Sequence, residues 1–180
     1  MDHSHYTKFL SHLPIFSHLS GEEIADIARI FKPVKLEPGK VLCREGDEGD
    51  GMIVVISGEV RIAKSTVQGD EQVIATLPAP TVVGEMAILD GSPRSATVTS
   101  TQTGDGYLIA RGEFELLRQN GNVAAYKVIR NLGRLLCERL RDTNGLITDF
   151  FADPTASLEL MQERQKELWK KRLEARGDQG

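Results

Sequence analysis

The sequence predicts an α+β fold: an eight-stranded antiparallel β-roll, or jelly roll, with N-terminal helices, a C-terminal helix pair and an extra charged C-terminal helix. Between residues 33 and 110, short β-rich runs alternate with turn residues at the spacing of a small antiparallel barrel. On both sides of this region the apolar residues have helical spacing. The 180 residues, 40% of them hydrophobic, are enough for one core of ordinary size.

The first long helix is predicted to begin after Ser20, which can form a capping box with Glu23. A shorter helical turn is expected over residues 13–16, and residues 1–32 are predicted to form an N-terminal helical segment. Helical spacing predicts that four apolar residues share one face of this helix: Ile24, Ile27, Ala28 and Phe31.

The strand pattern occupies residues 33–110, and glycine-containing turns such as Gly46–Gly51 and Ser57-Gly58 separate the runs. Glycine suits such corners because it reaches positive φ without steric cost. The predicted strand runs are 33–36, 41–44, 52–56, 60–63, 73–77, 95–100 and 106–110.

Helical spacing returns after Arg111, with one helix over 113–120 and a longer one over about 123–143. The apolar face of the longer helix is wider than a single seam, so one side can pack on the roll while the other stays available. The alternative is that this helix serves only as core. The roll (33–110) and the closing helices (112–145) together form the predicted domain, residues 33–145.

Residues 146–180 are predicted to be a linker and a charged helix. Phe150–Pro154 has the composition of a helix break, and Thr155 can cap a final helix rich in charges of both signs. Its apolar positions are too sparse for a core, so we expect residues 155–176 to be solvated or to dock on a protein effector rather than on a membrane.

Composition excludes several classes of partner. A net charge of −4 gives no basic field for direct nucleic-acid binding, and no apolar run is long enough to span a bilayer. The N-terminus lacks signal-peptide character, so we predict a cytoplasmic protein whose Cys43 and Cys137 are reduced and buried. No metal site is expected, and the four histidines are predicted to be solvated: His3, His5, His12 and His18.

The stretch from Gly84 to Thr97 is the part of the sequence that suggests a ligand. A short helical turn with free N–H groups at its start favours an anion, and Arg94 and Ser95 return to the same place after a Gly-Ser-Pro loop. The Glu85 carboxylate would repel a bare phosphate. It therefore needs a hydroxyl group from which it can accept a hydrogen bond. A phosphate beside a hydroxyl indicates a nucleotide.

This stretch, G-E-x-A-x-x-x-x-x-P-R-S-A-T, resembles the phosphate-binding cassette of the cyclic-nucleotide-binding domain family. That family includes catabolite activators, regulatory subunits of the cAMP-dependent kinase and cyclic-nucleotide-gated channels. Gly46-Asp47-x-Gly49-Asp50 and Ser57-Gly58-Glu59-Val60 also resemble the family's glycine signatures. Met52-Ile53 departs from it, since relatives often have an aromatic residue there. The resemblance implies a hinge between the closing helices, with the second one covering the ligand or pairing with its copy in a homodimer.

The chemistry of the cassette and the resemblance together suggest a role for each residue. Backbone N–H groups of Glu85, Met86 and Ala87 are expected to bind the phosphate, with Gly84 allowing close approach. Arg94 is expected to pair with the phosphate, and Ser95 and the Ala96 N–H to donate to it.

Glu85 is expected to accept a hydrogen bond from the ribose 2′-hydroxyl, and Met86, Val83 and Ile74 to form apolar walls. The alternative is that the two turns are plain corners of a barrel, with Arg94 paired to an acid.

Base identity is left open between cAMP, which we favour, and cGMP. The end of the long helix resembles that of catabolite activators, where a Thr-Ser pair meets the adenine amino group, and Thr143 and Asn144 occupy those places. Asn144 can still accept a hydrogen bond from an exocyclic amine.

The prediction is a cyclic-nucleotide sensor without a cofactor, which relays occupancy to a protein effector through its C-terminal helices. The alternative is a transcription regulator of the catabolite-activator type that acts through another subunit or a missing DNA-binding module, because the last residues are too few for a helix-turn-helix. An enzyme is not expected, since the sequence has no nucleophile–base pair, metal cluster or Walker loop.

Overall fold

The structure is a computed structural model and describes residues 10–11 and 13–153. The chain divides into two compact units after Gly133. The first unit holds the strands and the helices up to the first three turns of the long helix. The second holds the rest of that helix, and each unit is described by itself.

Eight antiparallel strands form two four-stranded sheets in the first unit, which confirms the predicted β-roll. One sheet has the order β1-β8-β3-β6 and the other β2-β7-β4-β5. The strands are β1 Phe31–Leu36, β2 Val41–Cys43, β3 Gly51–Val55, β4 Glu59–Ser65, β5 Glu71–Pro78, β6 Thr81–Val83, β7 Thr97–Ser100 and β8 Gly104–Ala110.

The two sheets face each other across one apolar core. It is drawn from strands of both sheets, because alternate side chains of each strand point inward. The buried members of the core cluster are Leu36, Ile53, Val55, Val60, Val83 and Val98.

The described helices are a 3₁₀ turn at Pro14–Phe16, α1 Gly21–Ala28, α2 Met86–Asp90, α3 Arg111–Gln119 and α4 Val123–Ala152. The predicted capping box is present: the Glu23 N–H donates to Ser20 Oγ at 3.2 Å, and the Ser20 N–H donates to Glu23 Oε2 at 2.7 Å. No described helix combines the length and apolar character needed to cross a bilayer.

Several sequence predictions about individual elements are wrong. Phe31 lies in β1 rather than on the first helix, because α1 already ends at Ala28. Strand β6 was not predicted, since its three residues lie between Pro80 and Gly84 and carry no alternation. Residues 95–96 precede β7 instead of belonging to it.

The predicted helix end near Thr143 is also wrong, because α4 continues to Ala152 through most of the predicted linker. Cys137 is exposed rather than buried, and Cys43 is half-buried. The predicted final helix, with Thr155, lies outside the described residues.

The first three turns of α4 are anchored to the N-terminal elements. Ala124, Ala125, Val128 and Leu132 are buried. Asn131 is buried and its amide nitrogen donates to the carbonyls of Ile15 at 3.0 Å and Ser17 at 2.8 Å. Lys127 Nζ lies 2.7 Å from both carboxylate oxygens of Glu23.

The part of α4 in the second unit has a different surface. Four of its large apolar side chains are exposed, at a spacing close to a heptad: Leu140, Ile147, Phe150 and Phe151.

Candidate functional site

Two segments meet at the candidate site: the loop Gly46–Gly51, which leads into β3, and the cassette Gly84–Thr97. Their main chains are joined directly. The Gly46 N–H donates to the Arg94 carbonyl at 2.9 Å, and the Arg94 N–H donates to the Asp47 carbonyl at 2.8 Å. These two hydrogen bonds hold the main chain of Arg94 against the glycine-rich loop Gly46–Gly51.

The Arg94 guanidinium is buried at the centre of the site. Nη1 donates to the carbonyls of Gly51 at 2.5 Å and Gly84 at 3.1 Å, and Nη2 pairs with Asp50 Oδ1 at 2.5 Å. These contacts use three of the five N–H donors of a guanidinium, so two remain for a further acceptor. The acid partner, Asp50, has a side chain that is 70% exposed.

Gly84 makes room for this arrangement. Its φ is +73°, and a Cβ atom there would lie 2.2 Å from Arg94 Nη1. Any side chain at position 84 would thus be strained and would displace the guanidinium. Gly49 is similarly close to the cassette, because its Cβ would lie 2.4 Å from that of Ala87.

The short helix α2 has a fixed end. Gly91 follows it with a φ of +71°, as expected for a left-handed C-cap. The Ser92 N–H and hydroxyl donate to the two carboxylate oxygens of Asp90, each at 2.9 Å. The hydrogen bond from the Ser92 N–H, followed by that from its hydroxyl, lowers the pKa of Asp90. The return loop towards Arg94 therefore starts from a defined geometry.

The residues after Arg94 present donors. Among the hydrogen bonds of the described residues, the N–H groups of Ser95 and Ala96 donate to no backbone carbonyl. The exposed Ser95 hydroxyl lies 3.6 Å from the sulfur of Met86, at the start of α2. Glu85, just before that helix, is buried. The structure thus brings together in one site the predicted residues Gly84, Glu85, Met86, Ala87, Arg94, Ser95 and Ala96.

Four other predicted residues lie elsewhere, and their roles stay predictions. Val83 is part of the core of the roll. Ile74 is exposed on β5, where the register with β4 shifts between Ala63 and Ile62 and leaves it in a bulge. Thr143 and Asn144 are exposed residues of the second unit, and the Thr143 hydroxyl donates to the Arg139 carbonyl at 2.8 Å.

Asp50 is the residue of the site that the sequence did not reveal. Its glycine-rich turn was recognised, but its pairing with Arg94, 44 positions away, is a tertiary contact. That ion pair is also what the alternative of plain barrel corners predicts. The ion pair therefore does not separate the two interpretations, and the roles of the cassette residues stay predictions.

Strand β2 places the Cys43 thiol close enough to the Arg94 guanidinium for the two groups to interact electrostatically. Burial raises the pKa of the Cys43 thiol, and the Arg94 guanidinium partly offsets that rise. Cys43 is therefore a neutral thiol at pH 7. Within the described residues, no three histidine, cysteine or carboxylate side chains are grouped to hold a metal ion. His3, His5 and His12 lie outside those residues.

Comparisons with known proteins agree on one family. Residues 33–121 match the family described as the cyclic nucleotide-binding domain. A cAMP-dependent protein kinase regulatory subunit from Dictyostelium discoideum is 36% identical over 98 residues, which cover 53% of this chain and 30% of that protein. A cyclic AMP receptor protein from Thermus thermophilus is 31% identical over 132 residues, which cover 73% of this chain and 59% of that protein.

A solved structure extends the similarity to the fold. The crystal structure of a cyclic nucleotide-binding domain from Methylobacillus flagellatus superposes with a TM-score of 0.71 at 26% identity, covering 82% of this chain and 83% of that one. This chain spans less than a third of the length of the kinase regulatory subunits that it matches.

Proposed function

We propose that this chain, whose residues 33–121 belong to the cyclic nucleotide-binding domain family, is a sensor that binds cAMP at the cassette Gly84–Thr97. This proposal is supported by two observations: the contacts of the buried Arg94 guanidinium use three of its five donors, and within the described residues the N–H groups of Ser95 and Ala96 donate to no backbone carbonyl. A phosphodiester carries one negative charge and two unesterified oxygens, which suits this set of donors. A charge-assisted contact in a site with little water is among the stronger polar interactions.

Glu85 supplies the preference for a ribonucleotide. A buried carboxylate beside an anion site favours a ligand that offers it a hydroxyl, and the ribose 2′-hydroxyl of a 3′,5′-cyclic nucleotide does so. The names of the relatives in Dictyostelium discoideum and Thermus thermophilus both refer to cAMP, and this favours cAMP over cGMP. The proposed contacts of Thr143 and Asn144 with the base also favour cAMP.

The proposed activity is binding without chemistry. The side chains around the cassette are a guanidinium, a hydroxyl and carboxylates that serve as acceptors, and a phosphodiester bound by such donors is not attacked by any of them. The ligand is then a signal, and no cofactor is needed.

We further propose that ligand occupancy is passed on through α4 to another protein. The exposed apolar residues of the second unit offer a surface for that protein or for a second copy of this chain. Residues 155–176 are the proposed contact to the effector.

Calorimetric titration of the purified chain with cAMP, cGMP and a cyclic dinucleotide tests the proposal. We expect cAMP to bind most tightly. The variant Arg94→Ala should weaken cAMP binding by about 2–4 kcal/mol, the scale of losing one partner of a desolvated charge. The variant Arg94→Lys keeps the charge but not the planar fork, and should lose affinity as well.

The matched control is Arg29→Ala, which removes an exposed arginine whose partner is Asp26. It should leave the affinity unchanged. Equal affinity of the wild type and the Arg94→Ala variant for both nucleotides would refute the assignment of the site.

A further inference from the structure

Glu45 has contacts on two sides that nucleotide binding alone does not require. It lies between β2 and the loop Gly46–Gly51, and its side chain is 26% exposed. Its carboxylate accepts from the Ser65 N–H at 2.8 Å and lies 3.5 Å from Lys64 Nζ. The hydrogen bond from the Ser65 N–H lowers the pKa of Glu45, so the carboxylate is charged at neutral pH. Ser65 and Lys64 are the last two residues of β4.

The main chain at Glu45 faces the cassette. The Glu45 N–H donates to Thr97 Oγ1 at 3.0 Å. The next two residues, Gly46 and Asp47, hold the main chain of Arg94 from both sides. Three consecutive residues, Glu45, Gly46 and Asp47, thus fix the two ends of the segment Arg94–Thr97.

We propose that Glu45 is a positioning residue for Arg94: its carboxylate fastens the start of the loop Gly46–Gly51 to the end of β4 and so keeps Arg94 where it can bind the phosphate. The far end of the same loop holds the guanidinium through Asp50 and Gly51. If the start of the loop shifts, the main chain of Arg94 moves away from the acceptors of its own side chain. The ligand in this inference comes from the proposed function, whereas the contacts of Glu45 are observed independently of that proposal.

The competing explanation is a surface ion pair that stabilises the fold slightly and has no bearing on the ligand. Both explanations allow a lower melting temperature when Glu45 is replaced. Only the positioning role predicts a change at Arg94 and in nucleotide affinity.

Four substitutions separate these explanations. Glu45→Ala removes the acceptor and the charge, while Glu45→Gln keeps an oxygen that can accept from the Ser65 N–H. Glu45→Asp keeps the charge but shortens its reach, and serves if the alanine variant does not fold. Glu48→Ala is the control, since this exposed acid of the same loop has no side-chain hydrogen bond or ion pair in the described residues.

Calorimetry with cAMP should show binding about tenfold weaker in Glu45→Ala and Glu45→Asp, the scale of one lost hydrogen bond to a charged group. The affinity of Glu45→Gln for cAMP should lie within about threefold of the wild-type affinity, and that of the control Glu48→Ala within about twofold.

The second measurement is the ¹⁵N NMR signal of the Arg94 Nε–H in the ligand-free protein. It should shift or broaden in Glu45→Ala and stay unchanged in Glu48→Ala. Where cAMP binds the wild type, an unchanged dissociation constant or an unchanged Arg94 signal in Glu45→Ala overturns the inference. If the wild type binds neither cAMP nor cGMP, the proposed function fails, and the Arg94 signal alone supports or overturns the positioning role.

Discussion

The first three turns of α4 and the remainder of the same helix differ in what surrounds them. Leu132, before the division of the chain, is 0% exposed, whereas Leu140, two turns later, is 60% exposed. Polar residues differ in the same way: Asn131 is buried and hydrogen-bonded to Ile15 and Ser17, while Asn144 is exposed. One continuous helix therefore combines a structural anchor with side chains that are exposed in the described part of the chain.

This contrast shows that an amphipathic pattern specifies a helix but not what covers its apolar side. The apolar pattern continues across Gly133, yet Leu132 before it is buried and Leu140 after it is exposed. The proposed relay would need both halves, because movement would have to pass from an anchored part to a part that another molecule can contact. Substitutions in matched pairs on the two sides of Gly133 can break or sharpen the comparison.

The largest expected effect is that of Leu132→Ala. Truncating this buried leucine should lower the free energy of unfolding by about 2–5 kcal/mol, since both apolar burial and packing are lost. Leu140→Ala should change it by less than about 0.5 kcal/mol. Urea unfolding measured at two protein concentrations checks both. A large, concentration-dependent loss for Leu140→Ala would mean that a second copy covers that surface.

The next largest effect is expected for Asn131→Ala. Its removal leaves the carbonyls of Ile15 and Ser17 without their donor, at a cost of about 1–3 kcal/mol of unfolding free energy. Asn144→Ala, on the exposed half, should have almost no effect in the same urea titration. Equal effects of the two substitutions would contradict the distinction between anchor and open surface.

The smallest expected effect concerns the Glu23–Lys127 pair. The hydrogen bond from Lys127 is the main cause of the lowered pKa of Glu23, which lies below the usual 4.5. Because the folded pKa is the lower one, the pair stabilises the fold above pH 4.5, and this stabilisation is lost as the pH falls through the folded pKa.

Urea unfolding of the wild type and Glu23→Gln between pH 7 and pH 3 measures this effect. The difference between the two proteins should shrink as the pH falls below 4.5. The control Glu138→Gln, on the exposed half, should show no such trend. A difference that grows on acidification would contradict the assigned direction.

Local signals in the sequence predicted much of the fold. The capping box at Ser20 and the glycine-punctuated strands are short-range patterns, and the structure contains both. The cassette was recognisable because its residues are close in sequence. The pairing of Asp50 with Arg94 was not, since the two come from separate loops that meet only in the folded protein.

Other differences arose where tertiary packing outweighs local pattern. Phe31 fits the helical period, but it pairs with Ile109 as the first residue of β1. Strand β6 has only three residues, too few for alternation, and it exists because β3 provides a neighbour for it. The end of α4 was predicted too early because the composition around Phe150 resembles that of a linker. No proline interrupts residues 123–152, so the helix continues.

The space beside Gly84 is occupied by part of another residue's side chain, the Arg94 guanidinium. The residue at position 84 therefore determines whether the Arg94 guanidinium can lie where it does. A homologue that keeps the arginine but has a larger residue in place of the glycine could not hold the guanidinium in the position described here. We expect such a homologue to fold and to lose the nucleotide binding proposed for this site, so positions 84 and 94 should be compared together in related sequences.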